Sequence, residues 1–188
     1  MALKVPTSEA FASEFSGILP VPSNNTELRS AVLNLIDNEP VAGKVTEGDE
    51  RLAQFRQILR DLANNQVSLQ ESFTRVRNDL PRHTSFHGSN NRVFADGWEE
   101  RLVRTQLSRF YNQAVMEELM AGGETQCFVP HSSSEDPSSP RSSQLAGRNQ
   151  SIETLHSRLV KSHGQGNFTN DVKIPNHPHC THVVTRAK

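Results

Sequence analysis

The chain has 188 residues, 20 Lys+Arg against 21 Asp+Glu, and an apolar share of only 34%. That composition supports one domain with a modest core and long polar segments, and no run approaches the roughly 20 apolar residues of a membrane span. The charge balance speaks against a free-standing duplex nucleic-acid binder, which carries a strong basic excess; it leaves room for a subunit that shares one strand with many copies and neutralises few phosphates itself.

Residues 1–25 are rich in Pro, Ser and Asn. Pro20 and Pro22 break any helix there, and Phe11, Phe15 and Ile18 suit a short packing arm. Thr26 reads as an N-cap before Leu28, Val32, Leu35 and Ile36, an apolar stripe at helical spacing that ends by Pro40 and Gly43. Asp49 opens a second helix with Leu52, Phe55, Leu59 and Leu62 on one face. Asn64 and Asn65 weaken it. Leu69, Phe73, Val76 and Leu80 continue the pattern until Pro81 stops it.

Residues 82–95 change character. His83, Gly88, Asn90 and Asn91 are turn formers, while Phe86, Val93 and Phe94 suit a strand, so a partly extended connector with a small β-ribbon is expected. Trp98 begins the strongest helix, with Val103, Leu107, Phe110 and Ala114 on its core face, and Gly122-Gly123 terminates it near Met120. Residues 124–150 read as a low-complexity loop, with Ser133, Ser138 and Ser139 as solvated spacers or, beside Pro or acidic residues, as phosphorylation sites. Ser151 caps a last helix carrying Ile152, Leu155 and Leu159, which ends at Gly164 and Gly166. The remainder to Lys188 is polar and expected to be extended.

The expected fold is therefore all-α, a four-helix bundle with a small extended ribbon, a long inner loop and extended termini. Residues 1–48 form an N-terminal extension with one extra helix, unless Thr26–Asp37 is itself the first bundle helix. Residues 49–163 form the bundle core, with 121–147 as a flexible inner loop, and 164–188 form a polar tail. No secretory signal follows Lys4, so the cytosol is the expected compartment, with Cys127 and Cys180 as free thiols.

Two segments carry a resemblance. The first is Ser85-Phe86-His87-Gly88-Ser89-Asn90-Asn91-Arg92-Val93-Phe94, between a helix ending near Pro81 and one carrying Leu102-Val103, Phe110 and Glu118. The second is Leu159-Val160 followed by Gly164-Gln165-Gly166-Asn167-Phe168-Thr169-Asn170. Together, and in the order of their helices, they resemble the coat proteins of rigid, rod-shaped plant RNA viruses, the tobamovirus-like group, over roughly residues 49–170.

The resemblance implies a four-helix structural subunit, not an enzyme. Identical subunits would pack in a non-closing helical array around single-stranded viral RNA, in the virion and, during assembly, in the host cytoplasm. Its inner-channel loop would be residues 121–147. The family's RNA-contacting arginines fall here on Gln113 and Val115, with Arg109 and Asn112 as the nearest substitutes. Arg148 and Ser151 occupy the start of the last helix, where the family has acidic residues, and are expected to face RNA instead. Glu100 and Glu118 match carboxylates that repel a neighbouring subunit's carboxylates and take up a proton or calcium ion, the only cofactor implied. Arg75 stands at one partner position and makes a salt bridge there instead.

His177, His179, Cys180 and His182 are good transition-metal ligands by type, but their run is too tight for a structural zinc site. Cys180 beside histidines also raises nucleophilic catalysis, for which a polar tail lacks the structured pocket. Phosphate-binding glycine loops are absent. Trp98, Phe110 and Phe86 are base-stacking candidates that suit a core equally well. The competing functions are a small helical adaptor for a protein partner and a metal-binding regulator using the His/Cys tail.

Overall fold

The computed structural model describes residues 25–132, 135 and 138–187. The expected arm of Phe11, Phe15 and Ile18, and the spacer Ser133, lie outside them. Helix α1 (Thr26–Asn38) is capped by Asn25 instead of Thr26: the Asn25 side chain accepts from the Leu28 amide at 3.1 Å, satisfying one of the spare first-turn N–H groups. Leu28, Val32, Leu35 and Ile36 are buried along it, as their spacing predicts.

Helix α2 (Asp49–Ala63) opens with Asp49 and Glu50 and carries Arg60 in its last turn, an arrangement that suits the helix dipole. It buries Phe55, Ile58, Leu59 and Leu62, while Leu52 is half-buried. Helix α3 (Leu69–Asp79) starts in a capping box, Ser68 with Glu71, and stops ahead of Pro81, with Phe73, Val76 and Leu80 buried. Helix α4 (Trp98–Ala121) runs 24 residues and ends at Gly122. Gly123 follows at φ +81° with open space around it, a backbone conformation that glycine adopts without strain.

Strand β1 (Gln126–Val129), the short helix α5 (Pro140–Leu145), strand β2 (Arg148–Ser151) and helix α6 (Ile152–Leu159) follow. A π-type turn (Val160–Gly164) extends α6, and β3 (Thr185–Arg186) closes the order. The sheet runs β2-β1-β3, antiparallel throughout, with Phe128 opposite Asn149 on one side and Thr185 on the other. Helix α1 packs on α2 and α4, α2 on α3, and α3 on α4; α6 also packs on α4. Each Leu, Ile, Val or Phe so buried contributes about 1.5–3 kcal/mol, and α4 is the element they share.

Three further expectations are corrected. Residues 82–95 hold no strand: a 3-10 turn at Arg82–Thr84 leads into successive turns, because the Asn90 side chain accepts from the Arg92 and Val93 amides and coils the chain locally. Segment 121–147 is not an unbroken loop, since it contains β1 and α5, the latter capped by Ser139 with Pro140 in its first turn. The polar tail is not wholly extended into solvent: Ile174, Cys180, Val183 and Val184 are buried in the core and β3 completes the sheet. Helix α1 contributes Leu28, Val32, Leu35 and Ile36 to the same core cluster as the later helices. Among the described residues, no helix is long and apolar enough to cross a membrane.

Candidate nucleic-acid interface

Residues 106–116 of α4 are buried without interruption. An amphipathic helix leaves its polar face to water, but here that face is covered as well. Three residues expected at RNA therefore lie inside the protein: Arg109 and Asn112 are fully buried and Gln113 nearly so.

Each has an internal task. The Arg109 guanidinium donates to the Pro40 carbonyl at 2.7 Å, to Gln106 Oε1 at 3.2 Å and to the His163 carbonyl at 3.3 Å. Glu39 lies 3.5 Å away. Burial pulls this guanidinium down to about 10, partly offset by Glu39 and Glu117, so it stays charged at neutral pH. Asn112 Oδ1 accepts from the Val184 amide at 2.8 Å and its amide donates to the Ser108 carbonyl at 2.8 Å. Gln113 donates to Glu117 Oε1 at 2.9 Å, where His156 Nε2 also meets it at 3.1 Å. Burial raises the Glu117 carboxyl, but His156, Gln113 and Arg109 outweigh that and hold it below its ordinary value.

The other two RNA candidates differ. Ser151 is the N-cap of α6, its hydroxyl accepting from the Thr154 amide at 3.3 Å. Arg148 is exposed on β2 opposite Val129 and is the one member of the set whose cation faces water. Glu100 and Glu118 are both half-buried on α4, eighteen positions apart. That is five turns, which puts them on the same face about 27 Å from each other. Glu100 already accepts from Arg104 Nε at 2.7 Å. Arg75 pairs within the chain, with Asp61 and, at 3.6 Å, with Asp79.

The histidine-rich tail does not gather a ligand set. His182 is buried, its Nε2 3.4 Å from Glu135 Oε2, while His177 and His179 are exposed. Among the described residues, no group of three or more His, Cys, Asp or Glu could hold a metal ion. Cys180 Sγ lies 3.6 Å from His182 Nδ1, yet burial pushes both thiols up, that of Cys127 to about 12, away from the nucleophilic thiolate.

A cleft that the sequence reading did not assemble lies where the start of α4 meets the segment after α6. Its volume is about 380 Å³, and Arg92, Trp98, Arg101, Phe168, Lys173 and Asn176 are among its lining residues. Trp98 was visible as a stacking candidate; Phe168 and Lys173, some seventy positions away, reach it only through the folded tail. Phe86 stands apart from it and is 83% exposed, and Phe110 is in the core.

No family model matches the chain, and neither curated proteins nor solved structures give a match.

Proposed function

We propose that the chain is a structural coat subunit that assembles helically around single-stranded viral RNA, with no catalytic role. The observation that carries this reading is the packing order: α1, α2, α3 and α4 contact one another in a closed cycle, with α6 added against α4. That supports a helical bundle in which the Ser85–Phe94 segment joins α3 to α4 and the Gly164–Asn170 segment follows α6. The near-neutral charge suits a subunit whose RNA affinity is summed over many copies. Arg148 is the phosphate contact among the residues first considered, since its cation is exposed. Glu100 and Glu118 are the candidate inter-subunit carboxylates, with Glu100 also paired to Arg104. A proton or a calcium ion would relieve the repulsion there. The particle, and the host cytoplasm during assembly, would be its locations.

Sedimentation velocity from mildly acidic to neutral pH, with and without RNA, tests the reading. Large, concentration-dependent species that respond to pH and RNA are expected. A small species under every condition would favour the helical adaptor instead. A metal regulator would change state with zinc or chelator, for which the described residues assemble no ligand set.

A further inference from the structure

The cleft beside Trp98 joins aromatic walls, cationic side chains and a buried amide oxygen. Its volume of about 380 Å³ falls within the range of about 300–1,000 Å³ typical of small-molecule sites. It has aromatic walls. Trp98 is held by Phe94 packed edge-on, with ring centroids 5.1 Å apart at 76°. Phe168 borders the same space, 68% exposed, with its ring edge-on to His163 at 6.5 Å.

Cations surround those walls. The Arg92 guanidinium is exposed and engages none of the described residues. Arg101 Nη2 is braced by the Ala95 carbonyl at 2.9 Å. Lys173 is buried at the rim, its ammonium tied to the Thr169 carbonyl at 3.0 Å. Among the described residues that line the cleft, none is a carboxylate. Asn176 adds a reader: its Oδ1 is buried and accepts no hydrogen bond from the described residues, a state that burial penalises unless a donor arrives.

We infer that this cleft takes one nucleobase of a single-stranded RNA together with its phosphate. The base stacks against Trp98 and Phe168, a sequence-tolerant contact. The phosphate meets Arg92 and Arg101, and an N–H of the base edge donates to Asn176 Oδ1. A peptide side chain would satisfy the ring contacts but leave two or three cations without an anion. The inference rests on the proposed coat-subunit reading for the identity of the strand, while the base-and-phosphate chemistry stands on the cleft.

Trp98 is the single tryptophan of the chain, so its emission reports this site alone. The full-length protein is titrated with a single-stranded RNA octamer, with uridine monophosphate, with uridine and with inorganic phosphate. Saturable quenching by the octamer is expected, weaker quenching by the monophosphate, and little by uridine or phosphate alone. Arg92→Ala and Phe168→Ala, both at exposed positions, should each weaken octamer binding about ten-fold while circular dichroism stays unchanged. Quenching by the monophosphate equal to that by the octamer would mark a free-nucleotide site and overturn the strand assignment. Absence of quenching, or equal quenching in both variants, would overturn the site. If RNA-containing rods form without a change at Trp98, the cleft inference fails and the coat reading stands. If Trp98 is quenched and no rods form, the cleft stands and the coat reading fails.

Discussion

The Arg109 guanidinium donates to the Pro40 carbonyl at 2.7 Å, joining the middle of α4 to the end of α1 across 69 positions of sequence. The same side chain reaches the His163 carbonyl in the turn after α6, so one buried cation fastens three parts of the chain. Gly164 is close-packed for this reason: a Cβ there would meet Arg109 Nη2 at 3.2 Å.

Arg109→Ala should therefore lower stability by about 3 kcal/mol, because several buried acceptors lose a charged donor at once. Urea unfolding followed by circular dichroism measures it. Arg148→Ala, at an exposed position, should leave stability within about 0.5 kcal/mol and reduce the salt dependence of RNA binding by about one phosphate. Equal stability of both variants would remove Arg109 from its structural role.

The tail predicts a second effect. Val184 is buried and its amide donates to Asn112 Oδ1 at 2.8 Å. Val184→Ala should cost about 1–2 kcal/mol, and truncation after Cys180 should cost more, since Val183 and β3 go with it. A truncated chain with an unchanged urea midpoint would mean that the tail is not part of the core.

His163 sets a pH dependence. Burial is the main reason its imidazole is pulled from 6.5 down to about 4, with the Arg109 and Lys173 charges adding to it against the hydrogen bond to the Pro175 carbonyl. The unfolded chain takes up a proton that the folded one refuses. The sign follows: stability is flat above about pH 6.5 from this group and falls as pH drops towards 4, by up to about 3 kcal/mol. His163→Gln keeps a donor for Pro175 and should flatten that part of the pH–stability curve. A slope in that window identical to that of the parent chain would contradict this assignment.

Glu118 tests the switch within the proposed assembly. Glu118→Gln removes a charge that would repel a neighbouring subunit, so assembly should persist to higher pH than in the parent chain. Sedimentation against pH reads the shift, and an unchanged profile would take Glu118 out of the switch.

The helices were legible because their signals are local: the stripe Leu28, Val32, Leu35, Ile36, the stop at Pro81 and the cap at Ser151 each act within a turn or two. Asn25 was passed over as the cap of α1 because Thr26 beside it is an equally good capping type. The ribbon failed at Asn90, whose side chain makes a turn that strand-like neighbours conceal. The tail and the interior of α4 were illegible because key partners are distant in sequence. Arg109, Asn112 and Gln113 look solvated in a helix with an apolar stripe, and the tail looks too polar to bury. Asn112 is partnered by Val184 of the folded tail, whereas Arg109 is satisfied by the Pro40 and His163 carbonyls and Gln113 donates to Glu117. The cleft depends on the folded tail too, which brings Phe168 and Lys173 to Trp98.

Negative-stain electron microscopy of the purified protein, at mildly acidic and neutral pH, with and without RNA, tests the coat-subunit reading most directly. Rigid rods or stacked discs, lengthened by RNA, are the expected result. Uniform small particles under all four conditions would contradict it.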